Sequence, residues 1–244
     1  HNFIINVHEN NSTGRYLNIG IRPQNQGRYF TFDFLSNGIN TTNTFDDSEW
    51  HNAVCTYNTT NNFRAIYIDG VLNNSDTSST DLDVDAADAI YIGRDLHTPN
   101  QYFNGKISDV RIYESALTAE QVKDIYFNQT ILGTEVAHYK FNEKMGTTAF
   151  DSSGNGYDGT LINGPTYYLS NPYRNYAMNF DGSDDYISIQ HSENLDILET
   201  LTVSCWFKCT GTISNEMNLI EKDTWDGNFL HFIKNSKLAG ASAN

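Results

Sequence analysis

The run Asp81-Leu82-Asp83-Val84-Asp85 sets three carboxylates at alternate positions. In an extended strand alternate side chains share a face. Two carboxylates on one face are the apparatus of glycoside cleavage, one attacking while the other protonates. The run also imitates the start of an EF-hand loop, with oxygens at every second position. It breaks that pattern with Ala86 where the loop needs its sixth-position glycine and Ile92 where it needs its twelfth-position glutamate. It reads as a solvated acidic loop that supports weak surface cation binding, and no catalytic residue is assigned.

A second oxygen-rich segment, Asp151-Ser152-Ser153-Gly154-Asn155-Gly156-Tyr157-Asp158-Gly159, is better suited to a hard cation. Asp151, Asn155 and Asp158 supply side-chain oxygens, and the glycines free carbonyls to turn inward, which is what calcium selects. The competing reading is a set of Asx turns that bond their own backbone. The seven histidines form no His-x-x-x-His pair, no serine sits in a Gly-x-Ser-x-Gly elbow, and no glycine-rich loop leads from a strand into a helix. Cys205 and Cys209 are four residues apart in a strand-like run, so they lie about 13 Å apart. A disulfide needs Cα atoms within about 7 Å. Cys55 paired with either of them, or three free buried thiols, both remain open. Trp206 alternates away from Val203, Cys205 and Phe207, so it faces the other side of its sheet if those three face a core. There, like Trp225 in its polar loop, it is a candidate sugar platform.

The elements that must position these groups are strands. The 244 residues carry 15 basic and 30 acidic side chains, a net charge of -15, which repels phosphate backbones and excludes nucleic acid as a partner. The 15 tyrosines and 14 phenylalanines favour pleated, half-buried positions. Alternating runs recur at 15–21, 29–35, 65–68, 89–92 and 107–113, and again at 136–141, 176–180, 186–189, 201–208 and 229–233. Asp69-Gly70, Asn104-Gly105 and Asn37-Gly38 are expected to close hairpins. One helix is expected: Thr118 and Gln121 form a capping box, Leu117, Val122, Ile125 and Tyr126 an apolar stripe, and the helix ends near Asn128. No run of about 20 apolar residues is present, so no bilayer-spanning helix is expected. The chain opens on His1 without a leader and reads as a mature or excised piece. Sequons at Asn10, Asn11, Asn40, Asn58, Asn73 and Asn128 favour an extracellular, secreted or cell-surface setting.

Trp50 to Tyr57, Ile66-Tyr67-Ile68-Asp69-Gly70, Ile90 to Gly93 and Tyr102 to Tyr113 resemble, in this order, the closing strands of a laminin-G-like (concanavalin A-like) jelly roll. Ala116 to Val122 resembles the short helix that ends such domains. His138 to Glu143, Asp151 to Leu161, Phe180 to Ile187 and Thr202 to Lys208 resemble the opening of the same domain, so the motifs run end first. The resemblance implies an all-β sandwich with one short helix. It also implies a structural calcium held by Asp109 and Glu143 together with Asp151, Asn155 and Asp158. The hydrolases of this fold carry two glutamates flanking an aspartate, which the 81–85 run does not reproduce.

Two organisations fit the reversed order. In the preferred one, residues 1–133 are the C-terminal part of one repeat and 134–244 the N-terminal part of the next, cut from a tandem array. Short matches between the two ends support it, such as Asn2-Phe3-Ile4-Ile5 with Asn218-Leu219-Ile220-Glu221. In the other, 1–244 is one circularly permuted sandwich. The function expected is a non-catalytic structural or adhesive repeat, stabilised by calcium, whose partners are identical copies or neighbouring repeats placed head to tail. A lectin-like module binding glycans is the alternative, and a glycoside hydrolase comes third.

Overall fold

The computed structural model describes residues 17–24, 27–34, 37–80, 82, 89–95, 101–129, 131, 135–169, 172–195, 200–210 and 217–223. The first half of the chain gives β1 (Leu17–Gln24), β2 (Gly27–Phe34), β3 (Asn37–Thr44), β4 (His51–Asn58), β5 (Phe63–Ile68), β6 (Val71–Thr77), β7 (Ala89–Ile92), β8 (Arg94–Asp95), β9 (Gln101–Tyr102) and β10 (Asn104–Tyr113), then α1 (Ala119–Tyr126). The second half gives β11 (Glu135–Tyr139), β12 (Thr148–Ala149), β13 (Gly159–Ile162), β14 (Thr166–Tyr168), β15 (Ala177–Asp181), β16 (Tyr186–Ile189), β17 (Thr200–Cys209) and β18 (Met217–Asp223).

These strands build two antiparallel sheets. One runs β12-β13-β16-β7-β18-β1-β2-β3, and the other β14-β15-β10-β17-β4-β5-β6 with β11 beside β10. Both halves of the chain contribute strands to both sheets: β18 lies between β7 and β1, and β17 between β10 and β4. The side chains between the sheets include Ile19, Phe30, Phe32, Phe34, Ile92, Ile187 and Leu219 from the first and Cys55, Ile66, Ile107, Val203 and Phe207 from the second. Their alternation along each strand sends one side of each pleat into a shared apolar layer.

The second sheet is covered on its outer face as well. Val54, Ala65, Tyr67 and Tyr113 pack there against Leu117, Val122 and Ile125 of the α1 region. Eight residues are too few for a helix stable by itself, so this packing holds α1 in place. Its start is fixed by the capping box: Gln121 N–H donates to Thr118 Oγ1 (3.3 Å) and Thr118 N–H to Gln121 Oε1 (2.9 Å). The helix closes at Tyr126, and Asn128 lies just beyond it with φ 60°.

At one side of the sandwich the outermost strands β3 and β6 meet through amides. Asn74 Nδ2 donates to Asn40 O (2.7 Å) and Thr42 N–H to Asn73 Oδ1 (2.9 Å). Such side-chain bridges occupy edges that would otherwise be free to pair.

Of the three expected hairpin pairs, Asp69-Gly70 alone forms a turn. Asn37 and Gly38 begin β3, opposite Phe34 and Asp33, and Asn104 and Gly105 begin β10, opposite Asp181 and Phe180. Cross-strand pairing overrides local turn preference at both places. The expected strand at 229–233, Trp225, the Asp81–Asp85 run apart from Leu82, and the sequons Asn10 and Asn11 lie outside the described residues. Cys55, Cys205 and Cys209 are all free and buried. Burial lifts their thiols well above the ordinary range, Cys209 to about 12.

Candidate functional site

The site is built on an irregularity in β10. β17 pairs with one edge of this strand, with a register shift between Ser108 and Arg111. The other edge is shared: β15 pairs with Asn104 to Ile107, and β11 takes over from Val110 to Tyr113. At the changeover Asp109 adopts φ 51°, a left-handed conformation that a short polar side chain tolerates. The bulge re-aims its carboxylate, as bulges commonly do.

Three cationic side chains meet that carboxylate. Arg111 donates through Nε and Nη2, both at 3.1 Å. Arg174 donates through Nε at 2.5 Å, and His138 Nε2 lies 2.7 Å away. Burial alone would raise the Asp109 carboxyl. The His138 hydrogen bond and the charges of Arg111, His138 and Arg174 outweigh it and hold the group far below the usual carboxylate range. Burial likewise works against a charged His138, but bonding to Asp109 and Glu135 lifts it above its ordinary value.

Arg174 also ties the cluster to the helix. Its Nη2 donates to Ile125 O (2.7 Å), one of the last helical carbonyls, and its guanidinium lies 5.0 Å from the Trp206 ring centre. Trp206 is itself stacked between Tyr173 (4.2 Å) and Tyr126 (5.5 Å). The expectation that Trp206 faces away from the core between the sheets holds, but it is 0% exposed and offers no platform to a sugar. Tyr173, 49% exposed, is the ring that solvent reaches.

Beside the cluster opens a cavity of about 240 Å³. Asp109, Arg111 and His138 are its buried floor, and Tyr176 and Arg174 are partly covered. Asn128, Lys140, Asn142, Tyr173 and Asn175 are its exposed rim. The chemistry available is hydrogen bonding from amides and a lysine, over a floor whose charges are already matched.

The five residues expected to hold calcium do not converge. Asp109 lies among cations. Asp151 accepts from His138 N–H, Ser153 N–H, Ser153 Oγ and Tyr157 N–H, so its oxygens serve its own loop and tie it to β11. Asp158 accepts from Asp151 N–H and Glu143 from Phe150 N–H, while Asn155 Nδ2 donates to Val136 O. Glu143 Oε2 is buried without a partner. Among the described residues, the acidic side chains that gather as a group of three with their oxygens close enough to share an ion are Asp181, Asp184 and Asp185. As five ligands of one ion, the expected set does not fit calcium, and no role is derived through the metal.

Tyr173 and Arg174 were not marked by any local motif, and His138 and Lys140 lie in the 138–143 run that resembles the family's opening without being marked as site residues. They come from segments far apart in sequence, and Asp109-Val110-Arg111 is the one part of the cluster with a short-range signature.

Two packed antiparallel sheets in jelly-roll texture, closed by a short capped helix, define a concanavalin A-like sandwich. The chain belongs to the Concanavalin A-like lectin/glucanases superfamily, whose laminin G-type model matches residues 1–123. No curated protein and no solved structure was found to match it. No helix among the described residues is long and apolar enough to cross a membrane.

Proposed function

We propose that this chain is a non-catalytic recognition module of the laminin-G-like kind, serving outside the cell as an adhesive or structural part of a larger repeat protein. The observation that carries this reading is the saturated state of the Asp109 cluster. A general acid must titrate near the working pH, and a general base must keep a free lone pair aimed at substrate. Asp109 does neither, and both ring nitrogens of His138 face carboxylates: Asp109 at 2.7 Å and Glu135 at 3.5 Å. Cleavage of a glycosidic bond needs a separated pair of carboxylates with divided roles, whereas this cluster spends its charges on one another.

In this reading the groups at the cleft floor hold the fold and the exposed rim does the recognising. A lectin-like role is the second reading, favoured by the three amides and the accessible tyrosine at that rim. Neighbouring repeats would be placed head to tail in the parent protein. The test is incubation of the intact chain with a panel of β-glucans and galactans, followed by assay of reducing ends. None are expected to appear, and turnover that disappears in Asp83→Asn would overturn the non-catalytic reading.

A further inference from the structure

We infer that the cleft beside the β10 bulge binds an acidic sugar, a uronate unit of a polysaccharide. The inference rests on the recognition reading above and adds to it the chemical class of the ligand.

Charge comes first. The chain as a whole carries a net -15, which repels anions from most of its surface. The cleft departs from that average: on its floor Arg111, Arg174 and His138 answer Asp109 and Glu135, and Lys140 adds a further positive charge at the rim. That local excess of positive charge focuses the field on what enters the cleft. A monoanion on each ring suits this balance, while a densely charged phosphate chain would meet the repulsion of the remaining surface.

The rim supplies the rest. Asn128, Asn142 and Asn175 are exposed at the mouth, and each amide offers both donors and an acceptor. Sugar hydroxyls need that mixture, because each both gives and takes a hydrogen bond. Tyr173 adds an apolar face that is held rigid by stacking on Trp206 at 4.2 Å. Lys140 is exposed on the same rim, placed to take a carboxylate as a charge-assisted hydrogen bond. At about 240 Å³ the cavity is smaller than the pockets of drug-sized ligands, which run from about 300 to 1,000 Å³. One ring fits, with the rest of the chain lying over the rim.

The experiment is titration calorimetry of the intact chain with a trimer of galacturonate, a neutral galactose trimer and sodium sulfate. The uronate is expected to bind and the other two are not. Lys140→Ala is expected to weaken it by about tenfold, the equivalent of about 1.4 kcal/mol. Asn175→Gly is a second variant, since Asn175 has φ 68° and glycine keeps that backbone while deleting the amide. It should also weaken binding, and both variants should melt with the parent. Absent uronate binding, equal binding of the neutral trimer, or indifference to both variants overturns the proposal. Equal binding of sulfate would reduce the site to a general anion pocket and overturn it too. Reducing ends measured on the same samples keep the two readings separate: their release tells against the non-catalytic module, whereas failure to bind without release tells only against the uronate.

Discussion

Asp109 shows why a buried charge cannot be judged by its type alone. Its carboxylate is enclosed, but its partners Arg111, Arg174 and His138 are also mostly covered, so each needs the other. Asp109→Asn keeps the shape and deletes the counter-charge, and removal of one partner from a buried ion cluster costs about 3–5 kcal/mol. Chemical denaturation is expected to show a loss of that order, and an unchanged midpoint would refute the role assigned to the cluster. The histidines set a pH dependence. Burial opposes a charged His51, but hydrogen bonds to Asp69 and Asp47 raise it above 6.5, and His138 is raised in the same direction by Asp109 and Glu135. A folded-state value above the unfolded one contributes stability that is complete below 6.5 and is lost as pH rises through the folded value. Melting temperature is therefore expected to fall as pH rises above 6.5. His51→Gln should flatten part of that slope, and a midpoint that climbs over the same range would contradict it.

At the scale of elements, the hairpin of β5 and β6 and the helix α1 are locked together. Asp69 and Gly70 have φ 51° and 77°, the doubly left-handed turn that suits the twist of a tight hairpin. A Cβ on Gly70 would lie 3.2 Å from the Cβ and Cγ of Tyr126 in α1. Gly70→Ala thus combines backbone strain of about 1–2 kcal/mol with pressure on the helix, and a melting point lower by about 2–4 °C per kcal/mol is expected. The loop from Asp151 to Asp158 gives a contrasting expectation. The Asp151 oxygens are taken by Ser153, Tyr157 and the His138 N–H, and Asp158 accepts from Asp151 N–H, so EDTA and excess calcium should give the same melting midpoint. A calcium-dependent rise would return the ion to the fold, because a ligand bound only to the native state stabilises it by mass action.

For the molecule as a whole, the decisive fact is the interleaving of the two halves. β18 fills the place between β7 and β1, and β17 the place between β10 and β4. The edges that residues 1–133 and 134–244 would expose separately are thereby paired within one chain, and an unpaired edge is what drives copies together. Light scattering of the purified chain is expected to give one monodisperse species of 27.6 kDa. Species that lengthen with concentration would mean that the halves exchange between copies, and would restore a head-to-tail assembly.

Strand texture, the capped helix at Thr118 and the family resemblance of residues 50–122 were legible in the sequence, because each depends on spacing within one short segment. The cores of β2 and β17 follow from alternation, and the capping box from two residues three apart. The cleft was not legible. Asp109, His138 and Arg174 meet only because β15 and β11 share one edge of β10 and leave a bulge between them, a register fixed by long-range pairing. The loop oxygens proposed for calcium show the same limit. Composition supplied the right atoms, but whether Asp151 faces an ion or its own backbone depends on hydrogen bonds that Ser153, Tyr157 and the distant His138 complete. Local periodicity therefore decides which segments are strands, and the tertiary structure decides which of their polar groups remain available to a ligand.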